Sequence, residues 1–102
     1  MERHKWQHQE KKLAKKLGGR RQPGSGSIPG LKGDVFSKTY LAECKATASA
    51  SYILKLKVLE KIEQEAAMEN KEPLLEIQMQ GKKFYVLTEC TFDMLNDLIE
   101  RA

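Results

Sequence analysis

An α/β domain, a sheet covered by a few helices, is predicted by three observations on this sequence. Residues 34–45 and 73–87 alternate apolar and polar side chains with the period of two of half-buried strands. Residues 4–17, 52–70 and 91–101 instead space their apolar residues like helices, and glycine, proline and serine punctuate the segments between. At 102 residues, 40% hydrophobic and 31% charged, the chain has apolar material for one core and too little length for two, so 1–102 reads as a single domain. The order is helix, three short strands, helix, two strands, helix, without internal repeat.

The first helix is expected from His4 to Leu17, with Trp6, Leu13 and Leu17 on one stripe and Gly18-Gly19 ending it. Glu10 lies four residues after Trp6 and three before Leu13, on the same inward stripe. A carboxylate held there is costly unless a metal ion or a cation joins it. A short strand is expected near Arg20 to Gln22, then an ordered loop through Pro23-Gly24-Ser25-Gly26-Ser27-Ile28-Pro29-Gly30.

Asp34-Val35-Phe36, a turn at Ser37-Lys38-Thr39, and Tyr40 to Lys45 read as a hairpin. Alternation places Leu41, Glu43 and Lys45 on one face and Ala42 and Cys44 on the other. A second helix is expected from about Tyr52 to Asn70, capped by Ser51, with Leu56, Leu59, Ile62 and Ala66 inward and a Lys61/Glu65 pair outward. Pro73 opens a strand carrying Leu75, Ile77 and Met79, and Gln80-Gly81 turns it into Phe84-Tyr85-Val86-Leu87. Thr91 is expected to cap a closing helix through Arg101, with Met94, Leu95, Leu98 and Ile99 on its inner side.

No apolar run approaches the roughly 20 residues that span a bilayer, and the start is basic rather than signal-like, so a cytoplasmic protein is expected, with no membrane partner. Cys44 and Cys90 lie far apart with no histidine at ligand spacing; two reduced, buried thiols are expected. Charge is uneven: residues 1–32 hold nine Lys/Arg against two acids, and residues 33–102 nine against twelve. A basic first third, in a chain of pI near 9.1, points to an anionic partner, most commonly nucleic acid.

The chemistry concentrates on Asp34 and on Glu43-Cys44-Lys45, with eight residues of the hairpin between Asp34 and Glu43. Pairing of the two strands brings the Asp34 carboxylate toward Glu43, with Lys45 projecting from the same face. Two adjacent carboxylates repel and raise each other's pKa unless a divalent cation joins them, and hard oxygen ligands suit Mg²⁺ or Mn²⁺.

This pattern resembles the PD-(D/E)XK nuclease superfamily, whose motif is an acidic residue, a short loop, and Glu-X-Lys or Asp-X-Lys on the adjoining strand. Within it the chain is most similar to archaeal-type and phage Holliday junction resolvases, which add a glutamate on the first helix and a serine-bearing loop; Glu10 and Ser25 or Ser27 fill those places. The resemblance spans roughly residues 3 to 80. Gly33 stands where many members have proline, a change expected to matter little if only backbone shape is used there. The resemblance implies a restriction-endonuclease-like fold, a central mixed sheet flanked by helices in the order α-β-β-β-α-β-β-α. It implies that Asp34 and Glu43 ligate Mg²⁺, that Glu10 completes or supports the site, and that Lys45 orients the attacking water or stabilises charge on the phosphorane. Arg20, Arg21 and Lys32, with the hydroxyls of Ser25 and Ser27, are expected on DNA phosphates. A homodimer acting on a four-way junction follows from the small protomer and the two strands to be cut.

Three functions compete: a junction-resolving endonuclease; a restriction-like or repair nuclease on duplex, flap or damaged DNA; and a non-catalytic DNA-binding protein. Other candidates have plainer readings. His4 and His8 are a turn apart without a third ligand and receive no role. Trp6 reads as core rather than as a base-stacking residue, Gln64, off the apolar stripe, is as readily a surface residue as an aid to the site, and Tyr40, Tyr52 and Tyr85 read as ordinary aromatics. The glycines near 18 and 24 lack the Lys-Ser/Thr and following helix of a nucleotide-binding loop.

Overall fold

In the computed structural model the described backbone covers residues 2–22 and 33–102, and the described side chains begin at His8. The elements are α1 (Glu2–Leu17), β1 (Arg20–Arg21), β2 (Val35–Phe36), β3 (Tyr40–Thr47), α2 (Leu56–Met68), β4 (Glu72–Met79), β5 (Lys82–Val86) and α3 (Glu89–Arg101). Their order is the one expected. The strands form one five-stranded sheet in the order β1-β2-β3-β4-β5, antiparallel throughout except for the parallel β3–β4 pair. Parallel neighbours need a long connection, and α2 supplies it.

α1 and α2 cover opposite faces. Leu13 and Ala14 of α1 pack with Val35, Ala42 and Leu74, whereas Ile62 of α2 packs with Leu75 and Ile77. β4 is therefore buried on both sides, and Leu74, Leu75, Glu76 and Ile77 are buried in succession. Full burial of Leu13, Leu41 and Leu75 contributes about 1.5–3 kcal/mol each. α1 meets the sheet closely at Gly19, where an added Cβ would fall 2.0 Å from the Phe36 carbonyl oxygen. The β2–β3 turn is closed by Ser37, whose hydroxyl accepts from the Tyr40 amide at 2.9 Å.

Six expectations are corrected. α2 starts at Leu56 rather than near Tyr52, and Ser51 does not cap it: Lys55 holds the cap position without a side-chain bond. The serines instead close local turns, with the Ser51 amide donating to Ser49 Oγ and the Ser49 amide to Thr47 Oγ1, the usual competition between short polar side chains and helix. Leu56 faces solvent, while Ile62 and Ala66 are inward as expected.

α3 is capped by Thr88, whose hydroxyl accepts from the Thr91 amide at 3.1 Å. Thr91 lies inside the first turn, fully buried, and donates to Glu72 at 2.8 Å. The intended inner face of α3 does not pack: Met94, Leu98 and Ile99 are exposed, as is Phe92. Cys90 is exposed and Cys44 only half-buried, so the thiols are not a buried pair. Among the described residues no helix is long and apolar enough to cross a membrane.

Candidate active site

The site forms where β2 leaves β3. β2 has only two residues, so beyond Val35 the chain parts from its neighbour, and the Asp34 side chain takes over from the backbone ladder. Asp34 Oδ2 accepts from the Cys44 amide at 2.8 Å, while the Asp34 amide still donates to Ala42 O at 2.9 Å. Gly33 allows this departure at φ +70°, with its Cα hydrogen turned toward Leu41. Proline, fixed near φ −65°, cannot adopt that conformation, so Gly33 is not a backbone equivalent of the proline common at this place.

Glu43 occupies the central stretch of β3, in register with Leu75 and hence on the α2 face; Lys45, two residues on, is in register with Ile77 and shares that face. The Asp34 and Glu43 carboxyls share a hydrogen bond, and the Glu43 pKa is pushed up to about 7 by burial first and then by Asp34, with Lys45 and Lys61 pulling back. Burial and the neighbouring acid thus both favour the protonated form of Glu43.

Glu10 approaches from α1 on the other side. Burial, and then Asp34, raise its pKa, and Arg21 opposes both. Arg21 Nε donates to Glu10 Oε1 at 3.1 Å. The cation that the inward Glu10 called for is thus Arg21 of β1, and Arg20 beside it faces solvent. Among the described residues, no three His, Cys, Asp or Glu side chains converge closely enough to hold a metal ion as they stand. The Asp34–Glu43 pair nevertheless suits Mg²⁺, which is held by one or two carboxylates and keeps several waters.

Ser25, Ser27 and Lys32 lie outside the described residues, as do the side chains of His4 and Trp6. Gln64 is exposed on α2. Cys44, between the two motif residues, has its thiol pushed far up by burial and by the surrounding carboxylates, which leaves it an inert wall of the site.

Sequence reasoning passed over the support beneath the site. Gln9 is buried and donates through Nε2 to Lys45 O at 3.2 Å and to Glu76 Oε1 at 3.0 Å. Glu76, wholly buried, also accepts from the Tyr85 hydroxyl at 2.7 Å. Gln9 thereby pins α1, and with it the adjacent Glu10, to the strand that carries Glu43 and Lys45. The available signal was Glu76 itself, a lone acid in the apolar run Leu74-Leu75-Glu76-Ile77.

No protein-family profile matches this chain, and no curated protein matches it. A solved structure does: Hjc of Archaeoglobus fulgidus, a Holliday junction resolvase from an archaeal hyperthermophile, has a TM-score of 0.64 with this chain, covering 78% of it and 73% of Hjc at 19% sequence identity. The likeness at that identity is one of fold, and the mixed sheet with its helix order is that of the archaeal resolvase.

Proposed function

We propose that this chain is a metal-dependent DNA endonuclease that resolves four-way junctions by hydrolysing phosphodiesters. The observation that carries the reading is the Asp34–Glu43 carboxyl pair, sharing a proton at the point where β2 leaves β3, with Lys45 following on the same face. Its occurrence on the fold of an archaeal Holliday junction resolvase favours the junction over other DNA.

Asp34 and Glu43 would hold Mg²⁺, and Glu10 would complete or support that set. An ion held by these carboxylates would supply Lewis-acid chemistry, a lowered pKa for a coordinated water and polarisation of the phosphoryl oxygen. The residues themselves do the placing. Asp34 is oriented by the Cys44 amide, Glu43 would hold the ion in its deprotonated form, its proton passing to solvent, and Lys45 would offer its ammonium to the charge that grows on the phosphorane. Arg20, Arg21 and Lys32, with Ser25 and Ser27, would hold flanking phosphates.

A labelled four-way junction and a matched linear duplex, each with Mg²⁺ or EDTA, test the reading. Wild type is expected to place paired nicks across the junction only with metal, and Asp34→Asn to lower the rate by at least about a hundredfold. Equal cutting of duplex and junction would move the protein to a restriction-like or repair nuclease. DNA binding without metal-dependent cutting of either substrate would leave a non-catalytic binding protein.

A further inference from the structure

The structure assigns a second DNA-contacting surface, a basic trough between α1 and β5 that takes backbone phosphates of a segment other than the one being cut. This rests on the nuclease reading above but uses none of its residues.

The trough follows from two repeats. On α1, His8, Lys12 and Lys16 are spaced four apart and form one exposed flank. The antiparallel register of β4 and β5 sets Lys83 beside Gln78 and Tyr85 beside Glu76, on the sheet face that α1 covers. Lys16 ties the two flanks together: its Nζ donates to the Tyr85 hydroxyl at 2.9 Å and lies 5.3 Å from the ring centroid. Beyond that tie the flanks stand apart around a groove of about 740 Å³, walled by His8, Lys12 and Lys83 and extended by Thr47, Gln78 and Gln80.

The lining has the chemistry of an anion site. Two lysines and a histidine face amide and hydroxyl donors, and among the described residues no carboxylate lines the groove. The one acid beneath, Glu76, is fully buried, and its oxygens are taken by Gln9 and Tyr85, so it does not present its charge to the groove. Position selects a long polyanion over a small one. Gln9 and Leu13 form the buried ridge of α1, with Glu10 on one side of it and His8 and Lys12 on the other. Glu10 and the trough are therefore on opposite flanks of α1, while Glu43 and Lys45 lie on the α2 face of the sheet, so a DNA backbone in the trough is a different segment from the one at the carboxyl pair. Lysine contacts of this kind position a duplex without reading its sequence.

Fluorescence anisotropy with labelled junction in EDTA, where nothing is cut, tests the trough over a salt series. Lys12→Ala/Lys83→Ala is expected to weaken binding equally on unrelated DNA sequences and to reduce the slope of log K against log salt by about 2. Lys12→Arg/Lys83→Arg should restore the slope, and Lys55→Ala/Lys57→Ala, at the start of α2, should leave it unchanged. An unaltered slope and affinity in the double alanine variant, alongside metal-dependent cutting by wild type, would overturn the trough and leave the nuclease reading standing. A slope that depends on Lys12 and Lys83 in a protein that never cuts DNA would support the trough and remove the nuclease. Wild type that binds no DNA would remove both.

Discussion

Buried carboxyls carry the residue-scale argument. Glu43 has an ordinary pKa of 4.5 in the unfolded chain and one of about 7 in the fold. Between those values the folded state keeps a proton that the unfolded state releases, so stability falls as pH rises from about 4.5 to about 7. In EDTA the melting temperature is expected to drop across that window, and Glu43→Gln should flatten the drop. Mg²⁺ above pH 7 should raise the melting temperature of wild type but not of the variant; an equal gain in both would show that the ion binds elsewhere. Glu76 makes the complementary case, since its charge is matched by donors rather than by a second acid. Tyr85→Phe removes the 2.7 Å hydroxyl bond and is expected to cost about 1–3 kcal/mol, measured by urea unfolding; an unchanged midpoint would mean that Glu76 finds another donor. Glu43 and Lys45 were legible in the sequence because alternation on a strand fixes which residues share a face. Glu76 and Gln9 were not, because a strand covered on both faces loses its period and a glutamine on a helix reads as solvent-facing until its partner is known.

At the scale of elements, the strands and the two hairpin pairings, β2–β3 and β4–β5, followed from period and turn chemistry, the parallel β3–β4 pairing did not, and the errors gathered at helix starts. A threonine or serine before an apolar run signals a cap, but the signal does not say which of several hydroxyls is used. Thr88 and Thr91 are three residues apart and both engaged, one as cap and the other as donor to Glu72. Thr88→Ala is therefore expected to destabilise the start of α3 by about 1 kcal/mol, and Thr91→Val to act differently, by leaving Glu72 short of a donor on β4. Hydrogen exchange separates them: the first should speed exchange within α3 alone, and the second should also affect β4. Identical patterns would dissolve the distinction. Gly33 carries the same lesson for loops. Motif reasoning treated it as a neutral stand-in for proline, yet its φ of +70° is what lets β2 part from β3, and only the backbone could show that.

For the whole molecule, the outstanding feature is α3, whose apolar stripe the sequence reading sent into the core. Periodicity identifies an apolar face but not what covers it, and in this protomer nothing among the described residues does: Phe92, Leu98 and Ile99 are 57%, 58% and 69% exposed. Under the proposed resolvase function a protein of 11.6 kDa has a use for such a face, because a two-fold pair would present two Asp34–Glu43 sites to one junction. We expect the face of α3 to be shared between two copies of the chain. Light scattering behind a sizing column should then give about twice the protomer mass for wild type at micromolar concentration. Leu98→Glu/Ile99→Glu should give the protomer mass, keep the Asp34–Glu43 site intact, and convert paired nicks into unpaired single ones. A wild type that runs as a protomer and still makes paired cuts would show that the junction, rather than α3, brings the two copies together.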